Sequence, residues 1–384
     1  MSGPKTVVWA LDEHTRAKHE ILRRYLQGWL PIMTTYNGKI IFIDGFAGPG
    51  EYTGGENGSP IIAIDTFLNH SYQPIRDKEV IFLFIEQDQA RCEHLEKLLS
   101  NRTQRHLFPS KSTYHVVQGN FTTTMDDLLT HIEDQQASLA PTFAFIDPFG
   151  FSHTPMSTIK RLMDHPKCEV LITFMYEEIN RFLVANYTNK ETYYNELFGT
   201  TEWKDIVQAA LSNKNSNTKL SSKDRAAMIH DLYQRQLKTV AGARYVRSFR
   251  MRNKHNSTDY FLFFATNNLL GMDKMKCSMC GVDPSGAYEF SDFTDPNQLV
   301  LFQPQPDFNL LQQMLRQRFQ GTTATIKEIK EYIIADTPFC STGYKTKALK
   351  PMEKAKPPQL EVVACPPNRP SGTYASDDMK IRFL

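Results

Sequence analysis

The chain has few cysteines, little excess charge and no long hydrophobic run. Six cysteines among 384 residues are too sparse for a disulfide-stabilised scaffold. A formal net charge of +2 excludes a histone-like polycation, although it permits nucleic acid as a partner. The longest aliphatic or aromatic run, Val80 to Ile85, is far shorter than the roughly 18 residues that suggest a membrane span. The N-terminal residues lack the apolar stretch of a signal peptide, so we expect a soluble cytoplasmic protein without membrane contact.

What the chain does contain is enough apolar sequence for two folded domains. Hydrophobic residues make up 41% of it, and its length fits about two domains of ordinary size. The composition breaks at a Gln-Pro-Gln-Pro segment between Phe302 and Asp307, which we interpret as a linker. We therefore predict one domain over residues 1–305 and a second over residues 306–384.

The first domain alternates apolar runs with helix-like stretches, which is typical of a parallel sheet covered on both faces. A helix is predicted over Asp12–Ile32, and a polar and aromatic insertion facing the substrate is predicted over residues 177–221. The pattern indicates an α/β fold with a doubly wound, mostly parallel sheet closed by an antiparallel hairpin. The predicted strands are Lys39–Asp44, Val80–Glu86, Tyr114–Val117, Thr142–Asp147, Glu169–Met175, Tyr245–Met251 and Asp259–Ala265.

Three of these strands end in an acid: Asp44, Glu86 and Asp147. In an open doubly wound sheet, ligands bind beyond the carboxyl ends of the strands. Acidic side chains placed there repeatedly predict a binding site at this edge, although Asp147 could instead cap a helix or pair with a buried cation.

A glycine-rich loop, Asp44-Gly-Phe-Ala-Gly-Pro-Gly50, follows the first strand. A phosphate-binding P-loop would end in Gly-Lys-Ser or Gly-Lys-Thr, whereas Gly50 is followed by Glu51 and Tyr52. The spacing G-x-x-G-x-G also differs from the dinucleotide fingerprint, and Glu51 would repel a pyrophosphate. The loop therefore favours a ligand without phosphates.

This loop resembles that of the class I S-adenosylmethionine-dependent methyltransferases, and the resemblance spans about residues 12–270. It implies that the cofactor is S-adenosylmethionine and that Glu86 binds its ribose hydroxyls through charge-assisted hydrogen bonds. It also implies that Asn120, in Gln118-Gly-Asn-Phe121, contacts the adenine. The cofactor-binding residues that it implies are Asp44, Gly45, Phe46, Ala47, Gly48, Gly50, Glu86, Gln87, Asn120 and Phe121.

The fourth strand leads into Asp147-Pro-Phe-Gly150, where amino-methylating members of that class carry Asp-Pro-Pro and an aromatic residue. The Asp147 carboxylate and the Pro148 carbonyl would hold the two N–H groups of a base exocyclic amine, which attacks the methyl group. Phe149 or Phe151 would stack the base. A cytosine C5 methylase is disfavoured because the loop has no nucleophilic cysteine. We predict catalytic roles for Asp147, Pro148 and Phe149.

The chain also resembles a bacterial family, the three-Cys-motif partner proteins. The similarity runs through the first helix and through Gly50-Glu-Tyr-Thr-Gly-Gly-Glu-Asn-Gly-Ser-Pro60 to Asp147. It implies a methyltransferase-like protein with a partner protein of the three-Cys-motif type. It also implies that the first helix lies beside the cofactor pocket, so that His14 and Lys18 could contact substrate; a solvated basic face is the alternative. The leading hypothesis is a methyltransferase acting on DNA or RNA, and the alternative is a non-catalytic adaptor of the same fold.

The second domain contains three predicted helices and a terminal β ribbon, which favour a winged helix-turn-helix. Residues 306–384 hold 12 Lys and Arg against 8 Asp and Glu. Lys345, Lys347 and Lys350 fall on the third helix and could neutralise phosphates, although a solvated helix face is equally compatible. Cys277-x-x-Cys280 lacks a second pair, so we expect no metal site and predict that Cys340 is isolated.

Overall fold

The computed structural model describes residues 6–105, 108–148, 154–185, 190–212, 221–291 and 306–384. They form two compact units. The first comprises the chain through Gly271 together with a short strand that begins at Glu289. The second comprises Met272–Tyr288 and the C-terminal part. The division thus differs from a single boundary at residue 305, and most of the predicted linker, residues 302–305, lies outside the described residues.

Within the described residues, one eight-stranded sheet forms the centre of the first unit, in the order β3-β2-β1-β4-β5-β7-β6-β8. In this order, the five neighbouring strands β3, β2, β1, β4 and β5 pair in parallel, whereas β7 is antiparallel to both β5 and β6. This confirms the predicted doubly wound, mostly parallel sheet with an antiparallel closing hairpin. The strands are β1 (Lys39–Asp44), β2 (Glu79–Glu86), β3 (Thr113–Gln118), β4 (Thr142–Ile146), β5 (Cys168–Phe174), β6 (Tyr245–Arg252), β7 (Thr258–Thr266) and β8 (Glu289–Ser291).

The first helix, α1 (Glu13–Tyr36), is held against the sheet by one apolar face and one buried hydrogen-bond network. Tyr25 donates to Glu169 of β5 at 2.5 Å, and Thr266 of β7 donates to the other oxygen of Glu169 at 2.8 Å. Burial raises the pKa of Glu169. The network fixes the lengthwise position of α1, since buried polar groups require their partners. It thereby sets where residues in the first turns of α1 lie.

The other helices of this unit cover the sheet and include the segment predicted as an insertion. In the described part of residues 177–221, Tyr194, Phe198 and Trp203 are buried in the main core of the unit. This described part is therefore largely helical and integral to the core, because these aromatic residues pack inward. The helices are α2 (Ser59–Leu68), α3 (Gln89–Arg105), α4 (Phe121–Asp134), α5 (Met156–Met163), α6 (Tyr176–Ala185), α7 (Glu191–Phe198), α8 (Trp203–Ser212) and α9 (Ser222–Thr239).

The second unit has the order helix, strand, helix, helix, strand, strand in its C-terminal part. It contains α11 (Phe308–Phe319), β9 (Thr323–Thr325), α12 (Ile326–Asp336), α13 (Lys350–Lys354), β10 (Leu360–Ala364) and β11 (Lys380–Phe383), preceded by α10 (Leu269–Cys280), which begins in the first unit. The strands form a sheet in the order β10-β11-β9. This order is compatible with the predicted winged helix, which stays a prediction.

The third helix predicted for the second unit is not a regular α-helix throughout. A π-helical turn at Tyr344–Leu349 precedes α13. Pro351 has no backbone N–H, so regular α-helical hydrogen bonding cannot continue through it. Elsewhere in this unit the buried Lys276 ammonium donates to the carbonyls of Ile333, Ile334 and Thr337, each at 2.9 Å, and so satisfies the end of α12.

Among the described helices, none is both long enough and apolar enough to cross a membrane.

Candidate active site

The carboxyl ends of β2, β1 and β4 lie next to one another and carry the three predicted acids. Asp44 ends β1 and is fully buried, Glu86 ends β2 and is buried, and Asp147 follows β4 and is partly exposed. Burial is the main cause that raises the pKa of Asp44 to about 7; the nearby Ser59 hydroxyl and the Phe46 amide, which donates to Oδ1 at 3.3 Å, oppose the shift, and the nearby carboxylates add to it. The acids therefore share one edge of the sheet.

The backbone of the glycine loop lies close to the side chains of two residues at this edge of the sheet. The Gly48 amide donates to Glu86 Oε2 at 2.9 Å, and Gly48 has φ +62°, a conformation that L side chains rarely adopt. A Cβ at Gly45 would lie 2.5 Å from the ring of Phe121, at the start of α4. Glu86 and Phe121 thus hold the loop against the ends of β2 and β3.

Three further residues of the predicted cofactor site occupy different environments. Asn120 caps α4, because its side-chain oxygen accepts from the Thr122 amide at 2.9 Å. Phe121 is buried and its ring centre lies 5.4 Å from that of Phe46, which forms an apolar wall beside the loop. Gln87 is exposed directly after β2. Asn120 therefore has a structural role in the fold, besides the adenine contact that the sequence predicts.

Lys18 of α1 lies against Asp147. Its Nζ is 2.6 Å from Asp147 Oδ2, and the two side chains are 7% and 20% exposed. The same ammonium lies 5.3 Å from the ring centre of Tyr260, at the start of β7. The buried ion pair that the sequence leaves open as an alternative for Asp147 is thus present.

His14 lies one turn before Lys18 and belongs to the same group of side chains. Its Nε2 is 3.6 Å from Asp259 Oδ2, and the Tyr260 hydroxyl donates to the His14 carbonyl at 3.1 Å. Because β7 runs antiparallel to β5, the start of β7 lies at the edge where the parallel strands end. The hairpin therefore adds Asp259 and Tyr260 to the candidate site.

Sequence reasoning missed several side chains that complete this region. Trp9 lies over the glycine loop, where its ring reaches within 3.6 Å of a Cβ built on Gly48, and its carbonyl accepts from the Thr53 amide at 2.9 Å. His19 is buried beside Lys18, and burial lowers its pKa to about 3, so its imidazole is neutral. A single tryptophan or histidine in a sequence carries no periodic signal, so neither could be assigned before the fold was known.

Two of the predicted catalytic residues are described and one is not. Asp147 and the buried Pro148 follow β4 at the sheet edge. Phe149, together with the four residues that follow it, lies outside the described residues, and its predicted role stays a prediction.

The three predicted phosphate-binding lysines belong to the second unit. Lys345 donates to the Tyr374 carbonyl at 2.8 Å, and the Lys347 ammonium lies 5.3 Å from the ring centre of Phe308. The stem of Lys350 packs on Gly372, where a Cβ would approach it to 2.7 Å. The structure thus places these lysines on the third helix of the unit and shows that each also supports local packing.

Cys340 is not isolated, contrary to the expectation from sequence distance. It lies within hydrogen-bonding reach of both Cys277 and Cys280, because the chain after α12 returns to α10. The cysteines are free thiols. Over the described residues, no group of three or more His, Cys, Asp or Glu side chains has an arrangement that could hold a metal ion.

The strand order β3-β2-β1-β4-β5-β7-β6, with β7 antiparallel and the acids at the ends of β1 and β2, defines the class I methyltransferase fold. Neither a family model nor a curated protein sequence matches the chain.

Several solved structures are similar to this chain. The methyltransferase domain of bacterial CtHen1-C has 10% identity and a TM-score of 0.29 over 65% of this chain and 100% of that one. Human methyltransferase-like protein 13 in complex with SAH has 9% identity and a TM-score of 0.35 over 69% and 91%. The plantazolicin methyltransferase BpumL in complex with SAH has 9% identity and a TM-score of 0.28 over 66% and 86%.

Proposed function

We propose that the protein is an S-adenosylmethionine-dependent methyltransferase that acts on nucleic acid. The observation that carries the proposal is the placement of Asp44, Glu86 and Asp147 on adjacent strand ends around one glycine loop. Such an edge is where doubly wound sheets bind their ligands. The loop lacks the lysine and the hydroxyl residue that a nucleoside triphosphate requires, so an adenosyl compound without phosphates fits it better.

The residues at this edge suit S-adenosylmethionine, which supplies the methyl group when bound. Asp44 Oδ2 is buried and, among the described residues, has no hydrogen-bond partner, which is costly unless a ligand satisfies it. Glu86 is oriented by the backbone amides of Gly48 and Asp88, at 2.9 and 2.8 Å, and its remaining lone pairs can accept from ribose hydroxyls. The apolar wall of Phe46 and Phe121 suits the adenine ring.

Asp147 and Pro148 would hold the methyl acceptor beside this site. Positioning by a carboxylate and a backbone carbonyl accounts for catalysis without a covalent intermediate. The sequence hypothesis is that the acceptor is a base exocyclic amine, which needs two hydrogen-bond acceptors. In the structure one oxygen of Asp147, Oδ2, is paired with Lys18, whereas Oδ1 has no such pairing with a lysine among the described residues and could receive an acceptor hydrogen.

The second unit supports nucleic acid as the substrate class. A short helix with Lys345, Lys347 and Lys350, followed by an antiparallel ribbon, is an arrangement suited to phosphate contacts. A partner protein of the three-Cys-motif type is a further proposed partner, because the N-terminal half resembles that partner family.

The decisive experiment combines a calorimetric titration with a transfer assay. The purified protein is titrated with S-adenosylmethionine and then incubated with the methyl-tritiated compound and separate RNA and DNA pools. Binding together with label in nucleic acid supports the proposal. Absence of binding rejects the methyltransferase, and binding without transfer to either pool favours the adaptor.

A further inference from the structure

The Lys18–Asp147 pair places a positive charge at the position where the methyl acceptor would be held. The ammonium is 2.6 Å from Asp147 Oδ2 and is 7% exposed. Its neighbours are Tyr260, at 5.3 Å, and the buried, neutral His19. A lysine so enclosed is poorly placed to contact the phosphate backbone in general, because phosphate-binding lysines reach into solvent. Its charge acts on groups inside the site.

The sign of this charge discriminates between acceptor atoms. A nitrogen that attacks a methyl group gains positive charge, and a nearby ammonium opposes that charge while also neutralising the carboxylate that would stabilise it. An oxygen that attacks while losing its proton gains negative charge, and the same ammonium stabilises it. An ion pair of this geometry thus favours methyl transfer to a hydroxyl oxygen and disfavours methyl transfer to an amine.

Resting on the proposed function, we propose that the methyl acceptor is a hydroxyl oxygen, namely the 2′-hydroxyl of RNA. The acceptor oxygen forms a bond to the methyl carbon as the carbon–sulfur bond breaks, and that bond's electron pair stays on sulfur. The hydroxyl proton passes to the Asp147 carboxylate and from there to solvent. Within a nucleic-acid chain only RNA offers a free hydroxyl at every internal residue, so the pair also selects RNA over DNA.

Lys18 is then the residue that positions Asp147 and supplies the charge for the oxygen. Its location follows from α1, whose position is set one to two turns later by the Tyr25–Glu169 hydrogen bond. Tyr260 and Asp259 close the same side of the pair from β7, and His14 lies against Asp259. Among the described residues, the charged and titratable groups beside Lys18 include Asp147 and Tyr260 from neighbouring elements and His19 of α1 itself.

The first test identifies the methylated atom. RNA and DNA pools are labelled with the wild-type protein and methyl-tritiated S-adenosylmethionine, and the RNA is then hydrolysed in alkali. Because alkaline cleavage needs a free 2′-hydroxyl, 2′-O-methylation is expected to place the label in alkali-resistant dinucleotides. Label in RNA mononucleotides or in DNA would overturn the hydroxyl acceptor and leave the methyltransferase standing. Label in neither pool would overturn both the hydroxyl acceptor and the proposed nucleic-acid methyltransferase.

The second test addresses Lys18 with matched variants. Lys18→Met is expected to lower kcat by about 100-fold or more while KM for RNA changes less than about 3-fold. Lys18→Arg is expected to recover part of the loss. Lys160→Met, which removes an exposed lysine 2.7 Å from Asp164, is the control and should leave transfer unchanged.

A readout independent of transfer separates this role from a merely structural one. S-adenosylhomocysteine binding by calorimetry and the unfolding midpoint should stay close to wild type in Lys18→Arg, which keeps the charge. The proposal is overturned if Lys18→Met retains more than about a third of the wild-type kcat. It is also overturned if the wild-type product carries its label on a base, a result that does not depend on whether Lys18→Met folds.

Discussion

Glu86 Oε2 accepts a hydrogen bond from the Gly48 amide at 2.9 Å, which joins the end of one strand to the turn after its neighbour. The other oxygen of the same carboxylate accepts from the Asp88 amide at 2.8 Å. The side chain is therefore fixed before any ligand arrives, and preorganised acceptors of this kind lose little entropy on binding. Glu86 is both a structural element of the loop and the best-placed acceptor for a ribose.

Glu86→Gln should weaken S-adenosylmethionine binding by roughly 10- to 100-fold, since charge-assisted hydrogen bonds contribute about 1.5–3 kcal/mol. The glutamine side chain would also place its own N–H opposite the backbone N–H of Gly48 or Asp88, so one of these two hydrogen bonds would be lost. Calorimetry measures the change in Kd. Glu79→Gln, at the partly exposed start of the same strand, is the control and should bind as wild type does. Equal affinity in both variants would remove Glu86 from the site.

Asp147→Ala should abolish methyl transfer, with a loss of about 10²–10⁴-fold, because the acceptor loses the carboxylate that orients it. Cofactor affinity should stay within a few-fold, as Asp147 lies on the acceptor side. Labelled transfer and calorimetry measure the two quantities separately. Asp164→Ala removes the exposed partner of Lys160 and serves as the control. Persistent transfer in Asp147→Ala would show that another group holds the acceptor.

The affinity for S-adenosylmethionine should depend on pH through Asp44. Burial raises the pKa of this carboxyl to about 7, so below that pH it is protonated in the free protein. The cationic cofactor favours the ionised form, and binding then releases a proton. Affinity should rise by up to about tenfold per pH unit below pH 7 and level off above it. Calorimetry in buffers of different ionisation enthalpy measures the number of protons released on binding. In Asp44→Asn the affinity should not change with pH over this range.

The Asp44 carboxyl should also make the free energy of unfolding depend on pH. The folded protein favours the neutral form of Asp44, whose pKa is raised from 3.8 to about 7, so the unfolded chain loses its proton first as the pH rises. The contribution of Asp44 to the free energy of unfolding is therefore greatest below about pH 4 and declines up to about pH 7. Chemical unfolding of wild type and Asp44→Asn across this range checks the difference; parallel curves would contradict it.

Changing Lys345, Lys347 and Lys350 to glutamate should weaken nucleic-acid binding and flatten its salt dependence. Each lost phosphate contact reduces the slope of log K against log salt by about 0.7–0.9. Lys345 also bonds to the Tyr374 carbonyl, so its share of the effect should be the smallest. Fluorescence anisotropy at several salt concentrations measures the slope. Lys327→Glu with Lys330→Glu, on α12, is the control. If both sets of variants weaken binding equally, the effect comes from the total charge of the unit and not from phosphate contacts of the third helix.

Sequence alone determined the sheet, because continuous apolar runs report burial on both faces and each run is read locally. It also determined that acids end the first, second and fourth strands and that glycines follow the first. The tertiary structure decided which side chains meet these acids. Lys18 and Asp147 are separated by 129 residues, and Tyr260 reaches them only because β7 runs antiparallel. Such contacts depend on helix placement and strand direction, which no local pattern encodes, and so the charge beside the acceptor became visible only in the fold.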